Sequence, residues 1–531
     1  MADQAKTSSG DENWDSSNSA AAPGINPWIV ALVVSMATFM EVLDSSIANV
    51  ALPHISGSLG SSQSDSTWVL TSYLVSNAIV MPISGWLSSV IGRKRFYMIC
   101  VGIFTVSSLL CGLAPSLPML LFFRVLQGIG GGGLAPTEQA ILADTFPPSK
   151  FGMAFAVYGV AVVVAPALGP TLGGYITDNF SWRWIFWINI PIGVLSLLLT
   201  SFTVQDSAKA TKKRKAERKR GIRVDYTGFI FTAMAFGALQ VVLDKGQEDD
   251  WLASGLICAM AAIAVIGALG LFLWETMVVA DPIVDVPLMK DPSFSIPMAM
   301  QFMMGVVLNA TTTLLPQIVQ NLMGYNATRA GMILMPGGLM LIVLFPLVGA
   351  LTKFIQPKYL MAFGMLLTAF SMYHLTGINA QASYSWLVWA RGIQIVGLPF
   401  FFLPITAIAY SNLPPGKSDN ASALMNLSRN LGGSIGISVA TVIVTRRTQF
   451  HLDRLSANVS HAFRPFATYM NSTGGFTRSN IASFYYTLES QASMMGYIDI
   501  FKILGVGCSI VVACCLLLRT IKPGTKAVMA H

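Results

Sequence analysis

Apolar runs close to the ~20 residues that a helix needs to cross a bilayer succeed one another through almost the whole chain. They lie at 28–51, 66–89, 96–114, 118–143, 152–176, 184–204, 226–243, 253–274, 297–319, 328–350, 358–376, 384–410, 420–444 and 497–518. In hydrocarbon each peptide N–H and C=O must be satisfied within its own segment, so runs of this kind fold as helices and the chain as an all-α membrane bundle of 14 spans. With 53% hydrophobic and 11% charged residues among 531, the charges are too few to cover a water-facing surface of that size. All six cysteines fall in apolar stretches, where they act as small hydrophobes, so neither a disulfide framework nor metal ligation is expected.

An even number of spans puts both termini on one side. Arg93, Lys94 and Arg95, the run at 209–223, Lys353 and Lys358, and Arg519, Lys522 and Lys526 share that side, which the positive-inside rule makes cytoplasmic. The acidic loop Asp244–Asp250 falls opposite. Arg446 and Arg447 fall on the outer side, but they open a long segment, and long loops translocate with less regard to charge. The run at 209–223 carries a net charge equal to the +8 of the whole chain. Lying between two spans, it reads as an orientation signal that touches anionic membrane lipids, not as a nucleic-acid site.

The expected organisation is a disordered cytosolic tail at 1–27, with no cleaved signal peptide, and then a six-helix bundle at 28–204. A basic cytosolic loop at 205–225, two additional spans at 226–274 and a cytosolic linker at 275–296 follow. A second six-helix bundle occupies 297–518, with an outer loop at 445–496 and a cytosolic tail at 519–531. That outer loop is either a solvated connection or a docking surface.

A weak internal repeat supports two halves. VALPHI at 50–55 echoes TLLPQI at 313–318, PISGWL at 82–87 echoes PLVGAL at 346–351, and Arg124 and Gln127 match Arg391 and Gln394. Paired halves of this kind build a central site open to alternate sides. The acids do not repeat. Glu41 and Asp44 lie three apart on one face of the first span, whereas an offset near 264 puts Gly305 and Val307 or Leu308 in their places. A carboxylate at that depth costs roughly 2.5–3.5 kcal/mol, so the first reading of an intramembrane acid is a functional one, here the carriage of a proton. Arg124 lies at a depth that permits pairing with Asp44; either the pair is permanent, or its release lets the acid capture a proton. Glu138, in the fourth span, is a site that attracts cations at the inner mouth or a hydrogen-bonded acid in a packed bundle.

Four segments resemble signatures of the drug:proton antiporters of the major facilitator superfamily: LDSSIANVALP at 43–53, GWLSSVIGRKR at 85–95, RVLQG at 124–128 and APALGPTLGG at 165–174. DNFSWRW at 178–184, NIP at 189–191, PIVD at 282–285 and RNLGGSI at 429–435 narrow the resemblance to the fourteen-span EmrB branch. The resemblance implies a major facilitator fold, a bacterial inner-membrane location and proton-driven export of hydrophobic or amphipathic compounds. It also implies an EmrA-like periplasmic adaptor and a TolC-like outer-membrane channel as partners. Glu138 departs from the EmrB pattern, where a small hydroxyl residue is expected.

Candidate proton-coupling residues are therefore Asp44, Glu41, Arg124 and Glu138. Phe39, Met40, Asn77, Tyr158, Phe302 and Met303 are candidates for an adaptable pocket. Gly85, Gly92, Arg93 and Arg95 form a candidate gate, in which glycines allow helix ends to approach and arginines pair across a closing interface. Pro166, Gly169, Pro170, Gly173 and Gly174 make the fifth span deformable. The chain has no GxxxxGK[ST] phosphate loop and no enzymatic or cofactor motif, so secondary transport is expected, without nucleotide or cofactor. A dedicated metabolite or siderophore exporter of the same fold is the alternative.

Overall fold

The computed structural model describes residues 19–147, 150–206, 225–279, 286–352, 354–411, 417–457, 464–472 and 474–517, with single positions 211, 413 and 459. Residues 1–18, most of the basic run at 209–223, the PIVD segment, Lys353 and the tail from residue 518 lie outside the described residues.

The chain is helical almost throughout. The helices are α1 (Pro27–Leu59), α2 (Gln63–Ile91), α3 (Arg93–Leu113), α4 (Leu117–Gly131), α5 (Leu134–Thr145), α6 (Phe151–Asn179), α7 (Trp184–Trp187), α8 (Asn189–Thr203) and α9 (Tyr226–Thr232). They continue as α10 (Ala238–Lys245), α11 (Gly255–Met277), α12 (Pro292–Asn321), α13 (Ala327–Leu351), α14 (Pro357–Leu375), α15 (Tyr384–Ser411), α16 (Ser418–Ser456), α17 (Arg464–Ser472) and α18 (Arg478–Leu517). One π-helical turn, Ala233–Gly237, joins α9 to α10. Starts follow local chemistry. Asn26 accepts from the Trp28 amide just ahead of Pro27, Ser62 from that of Asp65 and Asn326 from that of Arg329, each satisfying an amide that the first turn leaves unpaired.

Among the described residues, twelve helices are long and apolar enough to cross a membrane, or thirteen if the bent α6 counts as one span. Helix α14, whose Lys358, Tyr373 and His374 lower its mean hydropathy, packs along α15 and α18 and is compatible with a fourteenth place. Small residues let the helices touch. A Cβ on Gly364 of α14 would sit 2.5 Å from the Gly397 carbonyl of α15, and one on Gly432 of α16 would collide with the Phe302 carbonyl of α12. Such close backbone approach supplies the van der Waals contact that association in lipid depends on.

The segment 445–496 is more regular than a loop. Helix α16 continues to Ser456 and α18 begins at Arg478, so both run well past their apolar portions. Asp499 holds the two together, accepting from Arg447 at 2.6 Å and meeting His451 at 2.8 Å. Near the tip, Phe466 packs on Phe476 and Phe484, with centroids at 5.7 and 4.9 Å.

Candidate functional site

Helix α1 carries Asp44, Glu41 and Ser35 along its inward side, and each meets a different neighbour. Asp44, 2% exposed, accepts from Arg124 Nη1 of α4 at 2.6 Å, from Gln127 Nε2 at 3.0 Å and from Asn189 Nδ2 of α8 at 2.7 Å. Arg124 is fully buried. It also donates to the Val69 carbonyl at 2.9 Å and to Gln127 Oε1 at 2.7 Å, with its guanidinium over the Tyr73 and Phe186 rings. A buried ion pair is tolerated when further hydrogen bonds satisfy its remaining atoms, and here Gln127, Asn189 and the Val69 carbonyl supply most of them, while Arg124 Nη2 has no hydrogen-bond partner among the described residues. A turn away, Glu41 accepts from Tyr73 Oη at 3.3 Å and Asn77 Nδ2 at 3.1 Å. Glu138 of α5 is fully buried against α1, accepting from Ser35 Oγ at 2.5 Å.

The carboxyl-terminal half repeats the Asp44 cluster without the acid. Arg391 Nη1 of α15 donates to Thr311 Oγ1 of α12 at 2.9 Å and to Gln394 Oε1 at 2.5 Å, and Gln394 Nε2 donates to Thr311 at 2.8 Å. Arg391 Nη2 donates to Thr312 at 2.6 Å. Thr311 therefore stands where Asp44 stands in the first half. This corrects the assignment of Val307 or Leu308 to that place: the helix ends gave an offset near 264, whereas Arg124/Arg391 and Gln127/Gln394 keep the register of the buried cluster.

Polar contacts between the halves gather toward the end that carries Gly92. Arg93 pairs with Asp144 of its own half and, through Nε at 2.7 Å and Nη2 at 2.6 Å, with Asp419 of α16; Ser88 donates to the same carboxylate at 2.9 Å. Gly85 makes room, since a Cβ there would lie 2.8 Å from Asn420 Oδ1. Gly92 has φ +104°, a conformation that suits glycine. Arg95 is exposed, outside this cluster. Farther in, Tyr158 donates to Asn426 at 3.1 Å, Asn426 to Gln139 at 2.9 Å, Tyr410 to Gln139 at 3.0 Å, and Arg429 to Tyr158 at 3.1 Å.

The proline–glycine segment of α6 bends by 41° between Phe151–Pro166 and Leu168–Asn179. Pro170 removes the donor that the Pro166 carbonyl would have used, and Ser46 Oγ donates to that carbonyl at 3.3 Å instead. Gly169 and Gly173 face Ser46 and Ile47 of α1, while Gly331 of α13 faces Pro170 and Thr171. Gly174 belongs to the same buried stretch. The deformable helix is thus wedged between the two halves.

A cavity of about 140 Å³ lies at that junction, lined by Val42, Val162, Val163, Pro166, Leu308, Asn309, Thr312, Leu334, Arg391, Ile395, Arg429 and Asn430. None of the six pocket candidates lines it directly. Tyr158 reaches it through its partner Arg429, whereas Asn77 binds Glu41, which does not line it; Met40 is fully buried, and Phe39, Phe302 and Met303 are half-buried. Asn189, Thr311, Asp144, Asp419 and Asn426 were not singled out as site residues. Asn189 alone carried a signal, in the NIP segment; the others are ordinary polar residues whose role depends on a partner far away in sequence.

The family description Major Facilitator Superfamily matches residues 34–437. The multidrug export protein EmrB of Escherichia coli (strain K12) is 39% identical over 449 residues, covering 84% of this chain and 85% of that protein. The fatty acid resistance protein FarB of Neisseria gonorrhoeae is 36% identical over 475 residues, covering 89% and 92%. In three dimensions the proton:xylose symporter XylE superposes with a TM-score of 0.60 at 15% identity, covering 94% of this chain and 97% of that one, a likeness of fold alone. Family match, relatives and fold agree that this multi-pass membrane protein belongs to the Major Facilitator Superfamily, among its EmrB-type drug transporters.

Proposed function

We propose that the chain is a proton-coupled exporter of hydrophobic and amphipathic compounds in the bacterial inner membrane, with both termini cytoplasmic. The observation that carries this reading is the asymmetry between Asp44 and Thr311: the same Arg–Gln pair holds a titratable group in one half and a hydroxyl in the other. A purely structural counter-ion for a buried arginine is needed in both halves. A coupling acid is needed in one.

In this reading Asp44 exchanges Arg124 for a proton as the halves rock. Removing one partner from a buried pair costs about 3–5 kcal/mol, so protonation and rearrangement favour each other. Glu41 and Glu138 extend the set of acids along α1, and the Arg93–Asp144–Asp419 cluster forms the cytoplasmic gate. The outer helical extensions at 445–496 are the surface for an EmrA-like adaptor leading to a TolC-like channel. The name of the FarB relative, a fatty acid resistance protein, keeps open the alternative of a dedicated exporter of one compound class.

The test is Asp44→Asn, which preserves shape and removes titration. Substrate-induced proton release from the purified protein is expected to disappear while the variant still folds and binds substrate. Release equal to that of the parent refutes the coupling role.

A further inference from the structure

The cavity between the halves is lined by two guanidiniums and, among the described residues, by no carboxylate. Arg391 is 3% exposed and Arg429 is 8% exposed. Nε of Arg391 and Nη1 of Arg429 have no hydrogen-bond partner among the described residues. The partners that the two side chains do have are neutral: Thr311, Thr312 and Gln394 for Arg391, Tyr158 and Asn426 for Arg429. The acid that acts on Arg429 through space is Glu41, whose own hydrogen bonds go to Tyr73 and Asn77. Arg391 faces a hydroxyl where Arg124 faces a carboxylate. A buried cation whose hydrogen-bond partners are all neutral dipoles retains much of its desolvation cost, and an anion delivered to it relieves that cost.

We propose that Arg391 and Arg429 form an anion site for the carboxylate head of an amphipathic monocarboxylic acid, with Val42, Val162, Val163 and Leu334 contacting the first carbons of its chain. This substrate class rests on the exporter reading above. The volume of about 140 Å³ suits a head group and a short piece of chain, not a drug-sized molecule, so this state holds the polar end alone. A guanidinium meets a carboxylate through two parallel hydrogen bonds, which makes the site selective for planar acids over alcohols and against ammonium heads.

The test compares binding of laurate, dodecanol and dodecyltrimethylammonium, which share a chain length, to the full protein in phosphatidylcholine nanodiscs. Laurate is expected to bind best and the ammonium worst. Arg391→Gln and Arg429→Gln should each lower the laurate-to-dodecanol affinity ratio about tenfold, the equivalent of one charge-assisted hydrogen bond. Arg391→Lys, which keeps the charge, should recover part of it. If the glutamine variants fail to fold, the ranking in the parent decides alone. A parent that binds the three probes equally, or variants that weaken laurate and dodecanol alike, overturn the proposal. Laurate binding that vanishes in discs containing phosphatidylglycerol assigns the site to a lipid headgroup and overturns the substrate assignment. Transport of a neutral hydrophobic dye by the parent in proteoliposomes separates the two levels. Dye transport without laurate preference sinks the anion site alone; no transport of dye or laurate sinks the exporter reading.

Discussion

Arg391 donates to Thr311 across 2.9 Å in the position where Arg124 meets Asp44 across 2.6 Å. Two halves of one chain thus share a buried arginine and glutamine and differ in whether the group between them carries charge.

Supplying the missing charge should change stability and binding together. Thr311→Asp puts a carboxylate opposite Arg391, and with good geometry the new bond stabilises by about 1.5–3 kcal/mol. The expected results are a raised unfolding temperature in detergent and weakened laurate binding, because the built-in acid competes for Arg391. Thermal melts and the binding assay check both; an unchanged melt would show that Thr311 already satisfies the guanidinium.

The three acids along α1 should not be equivalent. Asp44 is held by a cation and two amides, Glu41 by a phenol and an amide, and Glu138 by Ser35. Glutamine at 138 keeps that last contact. Proton release per substrate should therefore fall most in Asp44→Asn, less in Glu41→Gln and least in Glu138→Gln, as read with a pH-sensitive dye.

Loosening the Arg93 cluster should open the end of the bundle that it closes. Asp419→Asn removes the charge that receives two Arg93 bonds and one from Ser88. Spin labels on the Gly92 ends of α2 and α16 should report a longer distance distribution than in the parent. Unfolding temperature should drop by the equivalent of about 3–5 kcal/mol if the carboxylate is wholly desolvated, and by less to the extent that water enters.

At Gly92 the backbone itself is the sensitive element. With φ +104°, a side chain is strained there whatever the space around it. Gly92→Ala should cost about 1–3 kcal/mol, measured by chemical or thermal unfolding in detergent. Gly102, where a Cβ meets nothing within 4 Å, serves as the control and should tolerate alanine.

The hairpin at 445–496 should separate transport from assembly. Replacing residues 457–477 by a short Gly/Ser linker keeps the Asp499 clasp on Arg447 and His451 and removes the tip. Transport in vesicles should persist while co-purification of an adaptor is lost. Loss of vesicle transport in a folded variant would instead assign the tip to the transport path.

Much of this molecule was legible without coordinates, for reasons particular to lipid. Each apolar run had one available conformation, so helix type and approximate span followed from hydropathy, and Glu41, Asp44 and Glu138 stood out because charge at that depth is costly. The limits of legibility are equally physical. The hairpin at 445–496 is polar, and outside the membrane hydropathy no longer distinguishes helix from loop; its order comes from Asp499 and an aromatic cluster that only folding assembles. The repeat offset read from helix ends differed from the one at the buried arginines, because prolines and glycines at the ends align by backbone shape while the arginines align by partner.

The amino-acid sequence by itself determined the class of fold, the two related halves and the lack of an acidic counterpart to Glu41 and Asp44 in the second, since these depend on how residue types partition between water and hydrocarbon. Tertiary structure decided which groups meet. It set Thr311 opposite Arg391, joined Asp419 to Arg93 across the halves, and left two guanidiniums facing one cavity. Those pairings depend on the rotation and crossing of helices set by small-residue contacts such as Gly364 on Gly397, a property of packed surfaces that no single segment carries.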